Sequence, residues 1–235
     1  MTKSLKDLIN TKKLFVFDFD GVLADSVNVK TQAFASLYEK YGAPVVHKVI
    51  MHHEKNGGMS RFEKFKHYHK TFLGKNLNKL EIQKMSEQFS AMVIKKVIAS
   101  EWIHGAKNYL DKLYEAKNNC VVISATPLNE IRHIIDKRDM NKYFSIVCGS
   151  PSTKHDNLEH VMRKFSICSK EIVFFGDSIA DWEAASKKDI LFVGIGATIK
   201  DLLKNEKKPK IFVDDFEIIE SWIYLISQYI NDSYK

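Results

Sequence analysis

Four short stretches of uninterrupted apolar residues punctuate the chain. They lie at 14–17 (LFVF), 120–123 (CVVI), 172–175 (IVFF) and 190–193 (ILFV), with a weaker fifth at 211–213 (IFV). Each is rich in branched or aromatic side chains and lacks the alternation of a half-exposed strand. Runs of this kind predict strands buried on both faces, as in a parallel sheet. Helical spacing appears between them, for example over 106–116 and 158–165. Strands alternating with helices predict an α/β fold: a doubly wound, Rossmann-like parallel sheet with helices on both sides.

The alternation fails once. After the first apolar run, the next begins only at Cys120, and the interval carries helical stripes instead. Phe34, Leu37, Tyr38 and Tyr41 share one face; Phe62, Phe65 and Phe72 another; Met85, Phe89, Met92 and Val93 a third. Helical hairpins inserted after a first strand predict a separate lid. The expected division is a core of residues 1–26 and 103–235 with an α-helical cap over 27–102, hinged near 25–28 and 100–105.

Composition narrows the class. With 235 residues, 45% of them apolar, the chain can bury a full core plus a modest insertion. The net charge of +7 suits nucleic acid or phosphorylated small molecules. The lysines are scattered and no nucleic-acid reader motif is present, so the small molecule is the expected partner and nucleic acid is not. No apolar stretch approaches the roughly 18–20 residues of a membrane span. Cys120, Cys148 and Cys168 form no CxxC pair and sit in or beside apolar runs, so buried free thiols are expected. With an N-terminus (MTKSLKDLINTKK) lacking an apolar signal core, they point to a cytoplasmic protein. Residues 204–210 (KNEKKPK) read as a solvated loop, and the expected assembly is a monomer or small homo-oligomer.

In open α/β sheets, ligands bind beyond the carboxyl ends of the strands. LFVF is followed by Asp18-Phe19-Asp20-Gly21-Val22, CVVI by Ser124-Ala125-Thr126, and IVFF by Gly176-Asp177-Ser178 with Asp181 close behind. Acidic groups converging at one sheet edge repel each other, and a hard cation with oxygen ligands removes that cost; Mg2+ suits such a site. Asp18 and Asp20, two apart, face one side if strand geometry continues. They can then divide labour, one ionised carboxylate attacking and the other, with a raised pKa, carrying a proton.

These residues resemble the motifs of the haloacid dehalogenase-like hydrolases. Asp18-Phe19-Asp20-Gly21-Val22 is similar to the DxDG(V/T) signature, Ser124 to the second motif, and Gly176-Asp177-Ser178-Ile179-Ala180-Asp181 to the GDxxxD motif. Lys154, after Ser150-Pro151-Ser152-Thr153, is the candidate third-motif lysine. The inserted helices resemble the C1 cap of the phosphoglycolate phosphatase and β-phosphoglucomutase branch.

The resemblance implies a phosphatase. Asp18 is the expected nucleophile, forming an aspartyl-phosphate, and Asp20 the general acid/base. Ser124 and the backbone N–H of Ala125 would bind the phosphoryl group, with Lys154 offsetting charge. Asp18, the Asp20 carbonyl, Asp177 and, through water or indirectly, Asp181 would serve Mg2+. In the cap, Asn56-Gly57-Gly58-Met59-Ser60-Arg61 resembles a substrate-reading loop, with Arg61 and Ser60 as its candidate contacts; a helix–helix turn with Ser60 as N-cap is the competing reading. His47, His52, His53, His67 and His69 are not expected to hold a metal. A phosphomutase of the β-phosphoglucomutase type would use the same residues, and a non-catalytic module on this fold is the remaining alternative. Dehalogenase and phosphonatase chemistry are disfavoured, because those relatives lack the second aspartate found here as Asp20.

Overall fold

The computed structural model describes residues 5–204, 206 and 210–220. Residues 205 and 207–209 of the lysine-rich segment 204–210 lie outside the described residues.

Six strands form one parallel sheet: β1 (Leu14–Phe17), β2 (Asn119–Pro127), β3 (Ile146–Ser150), β4 (Ile172–Gly176), β5 (Leu191–Ile195) and β6 (Ile211–Val213). Their order is β3-β2-β1-β4-β5-β6. The continuous apolar runs have their physical cause here. Phe15, Phe17, Cys120, Val122, Val173 and Phe175 face one buried layer, while Leu14, Val16, Val121, Ile123, Ile172 and Phe174 face the other. Period-two alternation therefore persists, but both faces are dry. The edge strand β3 carries only three consecutive apolar residues, Ile146, Val147 and Cys148, of which the first two are half-buried.

Eleven helices are described: α1 (Leu5–Asn10), α2 (Val27–Tyr38), α3 (Ala43–Lys55), α4 (Arg61–Leu73), α5 (Lys79–Ala99), α6 (Ala106–Glu115), α7 (Leu128–Lys137), α8 (Lys154–Phe165), α9 (Ile179–Ser186), α10 (Ala197–Leu202) and α11 (Phe216–Glu220). Helices α6 and α7 cover the first layer through Tyr109, Leu110, Ile131 and Ile135. Helices α8, α9 and α10 cover the second through Leu158, Val161, Ala185 and Ile199.

Helices α2–α5 intervene between β1 and α6 and pack around Phe34, Tyr38, Phe65, Tyr68, Phe89 and Val93. Ring pairs such as Phe34–Phe89, at 4.5 Å, knit them together. Phe62, read with this stripe, is half-buried beside the open groove between the two sets of helices. The two crossings between helical and sheet regions run side by side. Asp25 N–H donates to the Glu101 carbonyl (2.9 Å) and Ile103 N–H to that of Leu23 (3.1 Å). Arg138 closes the end of α5, donating to the carbonyls of Val97, Ile98 and Ser100 at 2.6–3.0 Å.

No helix among the described residues is long and apolar enough to cross a membrane. All three cysteines are free; Cys120 and Cys148 are buried, but Cys168 is exposed, contrary to expectation. It precedes a short helical turn at the surface, where its thiol reaches Glu171 Oε2 at 3.1 Å.

Candidate active site

Strand order sets the site. The central strand β1 lies between β2 and β4, so the residues beyond its carboxyl end sit at the topological switch point. Asp18 follows β1, Ser124–Thr126 close β2, Asp177 follows β4, and Lys154 opens α8 just beyond β3. One carboxylate oxygen each from Asp18, Asp177 and Asp181 lies within 4.8 Å of the others.

Close approach depends on two glycines. Gly21 has φ +78°, and a Cβ there would stand 2.1 Å from Asp177 Oδ2. A Cβ on Gly176 would stand 2.3 Å from the Cβ of Asp181.

Lys154 holds the acidic cluster together. Its Nζ donates to Asp18 Oδ2 (2.6 Å) and Asp181 Oδ1 (2.5 Å), and all three side chains are buried. Asp181 Oδ2 also accepts from the Ser178 hydroxyl (2.5 Å) and N–H (3.2 Å). Both oxygens of Asp181 are thus engaged within the protein. Asp18 Oδ1 accepts from the N–H of Phe19 (2.7 Å), whereas Asp177 has no hydrogen-bond partner among the described residues. Burial, then the charges of Asp18 and Asp181, push Asp177 well above the usual carboxylate range. Three carboxylates crowd together where one ammonium pairs with two of them, and the donors are all hard oxygens. That set fits a divalent cation such as Mg2+.

The two aspartates of the DxD pair differ in the opposite sense to the sequence expectation. Burial, opposed by Lys154 and reinforced by the charges of Asp181 and Asp20, pushes Asp18 up to about 7. Burial acts on Asp20 too, but the Lys30 ammonium and hydrogen bonds from Lys30, Ser26 and Thr126 outweigh it and hold the group below its usual value. Lys30 Nζ bonds Asp20 Oδ2 and also Thr126 Oγ1 (2.8 Å); Ser26 Oγ donates to Asp20 Oδ1 at 2.6 Å. The reversal arises from Lys30, which the strand-end reading omitted. It was visible as the lone basic residue between Leu14 and Glu39, about one helical turn into α2.

Ser124 is buried, and its Oγ accepts from the N–H of Thr126 (3.1 Å). Ala125 and Thr126 face a cavity of about 250 Å³ between the helical insertion and the sheet. Asp18, Asp20, Lys30, Lys64 and Asp177 line it as well.

Both candidate cap residues have partners within the protein. Ser60 is the N-cap of α4, accepting from Glu63 N–H at 3.3 Å. Arg61 also touches the cavity, but its guanidinium is committed: it forms a bidentate pair with Glu130 of α7, with the Nη1–Oε2 contact at 2.9 Å. Arg61 further donates to Ser90 Oγ (2.7 Å) and lies 4.5 Å from the Phe89 ring centre. A buried guanidinium requires such a counter-ion, and Glu130 supplies it. Sequence reasoning missed Glu130 and Lys64. For Lys64 a signal existed, since Arg61 and Lys64 extend the stripe of Phe65, Tyr68 and Phe72 and so put cations at core-facing positions. His52 and His67 stack at 4.2 Å, His53 pairs with Lys64 and His69 with Tyr38.

A phosphorylated carbohydrates phosphatase of Thermotoga maritima is 24% identical over 188 residues, 74% of this chain and 81% of the relative. The crystal structure of a predicted phosphoglycolate phosphatase from Haemophilus somnus 129PT superposes with a TM-score of 0.68 at 20% identity, covering 89% of this chain and 97% of that one. A β-phosphoglucomutase from Clostridium difficile gives a TM-score of 0.71 at 19% identity, covering 95% and 97%. The family described as haloacid dehalogenase-like hydrolase matches residues 15–195, which run from the second residue of β1 to the end of β5 and include every acidic residue of the cluster. The chain therefore belongs to the haloacid dehalogenase-like hydrolase family.

Proposed function

We propose that this chain is a Mg2+-dependent phosphohydrolase that removes the phosphoryl group from a small phosphorylated metabolite through an aspartyl-phosphate on Asp18. The observation that carries the reading is the convergence of Asp18, Asp177 and Asp181 at one sheet edge, with Lys154 bridging two of them. Such a site suits phosphoryl transfer, where positioning and charge neutralisation supply most of the rate.

Asp18, Asp177 and the backbone carbonyl of Asp20 would hold Mg2+, with Asp181 positioned behind them. When bound, the ion offsets the crowded negative charge and favours the ionised form of Asp18. An oxygen of Asp18 attacks phosphorus, and the ester P–O bond breaks. The leaving oxygen takes its proton from Asp20. The Asp20 carboxylate then removes a proton from the water that attacks the aspartyl-phosphate, which frees phosphate, restores Asp18 and reprotonates Asp20. Lys30 favours the ionised Asp20 of the second half-reaction. Ser124, the N–H of Ala125 and Lys154 are the assigned contacts to the phosphoryl oxygens.

The cavity of about 250 Å³ is smaller than the roughly 300–1,000 Å³ of drug-sized ligand sites, which favours an ester of few carbons. The name of the Thermotoga relative supports a phosphorylated carbohydrate. Residues 27–102 would act as a cap over the core of 1–26 and 103–235, in a cytoplasmic monomer or small homo-oligomer. A panel of phosphorylated metabolites, scored by phosphate release with Mg2+ and with EDTA, tests the reading. Metal-independent release, or a near-normal rate in Asp18→Asn, ends it. Turnover only with a bisphosphorylated primer would indicate a phosphomutase instead.

A further inference from the structure

Most polar side chains that line the cavity are committed to partners within the protein. Asp18 pairs with Lys154, Asp20 with Lys30 and Ser26, Arg61 with Glu130, Lys64 with His53, and Ser178 with Asp181. Asp177 belongs to the acidic cluster. Glu54 and Thr198 line the same cavity, and among the described residues neither side chain has a hydrogen bond or an ion pair. Both are exposed, so they stand where the cavity opens to solvent.

They reach this mouth from two parts of the fold. Glu54 lies near the end of α3, in the helical insertion, and Thr198 in the first turn of α10, beyond β5. On the Thr198 side the wall is completed by Ile195, which ends β5, and Leu202, which ends α10. Such a surface suits a short hydroxylated carbon chain. Its C–H groups can lie on Ile195 and Leu202, while its hydroxyls need partners at the polar rim. A carboxylate only accepts, so Glu54 takes O–H donors; a threonine hydroxyl donates or accepts, so Thr198 bonds a hydroxyl in either sense. A few placed polar groups in an otherwise apolar wall fix a ligand's orientation. A ligand ammonium is disfavoured, because Lys30 and Lys64 line the same cavity.

We propose that Glu54 and Thr198 form a hydroxyl-reading rim, which binds the end of the leaving group farthest from phosphorus. On the phosphohydrolase reading, on which this inference rests, the preferred ester carries hydroxyls on a short carbon chain. An alkyl ester of the same length leaves both rim groups unpaired and is a poorer substrate.

The test uses the full chain with Mg2+ and two matched pairs of esters: erythritol 4-phosphate against n-butyl phosphate, and ribitol 5-phosphate against n-pentyl phosphate. In at least one pair the hydroxylated ester should exceed the alkyl ester in kcat/KM by about tenfold or more, the worth of one hydrogen bond to a charged group. Thr198→Val, which keeps the side-chain shape, should lower that ratio by roughly 2- to 10-fold, and Glu54→Leu by roughly tenfold or more, both mainly through KM. Thr198→Ala and Glu54→Ala replace them should either fail to fold. A merely structural role would slow both members of a pair alike and leave the ratio in place. The inference stands only if both positions lower the ratio; a wild-type ratio near one, or a ratio unchanged in either folded variant, overturns it. Should wild-type protein hydrolyse none of the esters, the phosphohydrolase reading fails separately. Calorimetric binding of the same pairs then decides the role of the rim: a preference for the hydroxylated ester that is lost in both variants supports it, and no preference, or one retained in either variant, refutes it.

Discussion

Glu130→Ala removes the counter-ion of a guanidinium that is 5% exposed, at the contact between α4 and α7. In wild type, Arg61 makes two hydrogen bonds to Glu130 and one to Ser90 Oγ, and Ser90 Oγ itself donates to Glu130 Oε2 at 2.5 Å. After the substitution Arg61 keeps Ser90 and a weak 3.5 Å contact to the Ser86 carbonyl, both neutral. Breaking one side of a buried pair costs about 3–5 kcal/mol, because the remaining charge is desolvated and uncompensated. The surviving contact to Ser90 and the Phe89 ring place the expected loss in the lower half of that range. For a chain of this size the full range corresponds to a fall in Tm of roughly 6–20 °C. Thermal and urea melts of wild type, Glu130→Ala, Arg61→Met and the double variant Arg61→Met/Glu130→Leu measure it. The double variant should recover to within about 2 kcal/mol of wild type, since apolar replacement of a buried pair is often neutral. A loss below about 1 kcal/mol in Glu130→Ala, typical of an exposed pair, would refute the reasoning.

Asp18→Asn should lower phosphate release by at least about a thousandfold, as expected when a nucleophile is removed, while keeping a cooperative melt. In EDTA, Asp18 ionises near its ordinary 3.8 when unfolded but near 7 when folded, so the native state binds the extra proton between those values. Its contribution to stability is therefore present below the lower value and lost as pH rises toward 7. Melts in EDTA should fall across that window, and saturating Mg2+ should reduce the fall; an equal fall with and without Mg2+ would count against a metal at this site. Lys30→Met removes the charge that holds Asp20 low, so the acidic limb of the kcat profile should move to higher pH. A limb left in place would separate Asp20 from the rate-limiting proton transfer. Arg138→Ala strips three carbonyl acceptors at the end of α5 and should lower Tm by several degrees, about 2–4 °C per kcal/mol lost. An unchanged Tm would show that water replaces the guanidinium without cost.

The sheet, the helical insertion and the order of the acidic motifs were legible in the residues alone. Runs such as LFVF and IVFF admit few arrangements, because Phe15 and Phe17 face one apolar layer while Leu14 and Val16 face the other. Strand-end position then placed Asp18, Ser124 and Asp177 at one edge, since parallel strands share a direction. The tertiary structure decided what those groups meet. Electrostatics depends on distance in space, and the decisive partners are remote in sequence: Lys30 for Asp20, Lys154 for both Asp18 and Asp181, and Glu130 for Arg61. No periodicity shows that Arg61 meets a carboxylate and Lys64 an imidazole, because both read as cations on one helix face. Only the placement of Glu130 on α7 beside Arg61, and of His53 beside Lys64, gives the two cations different partners.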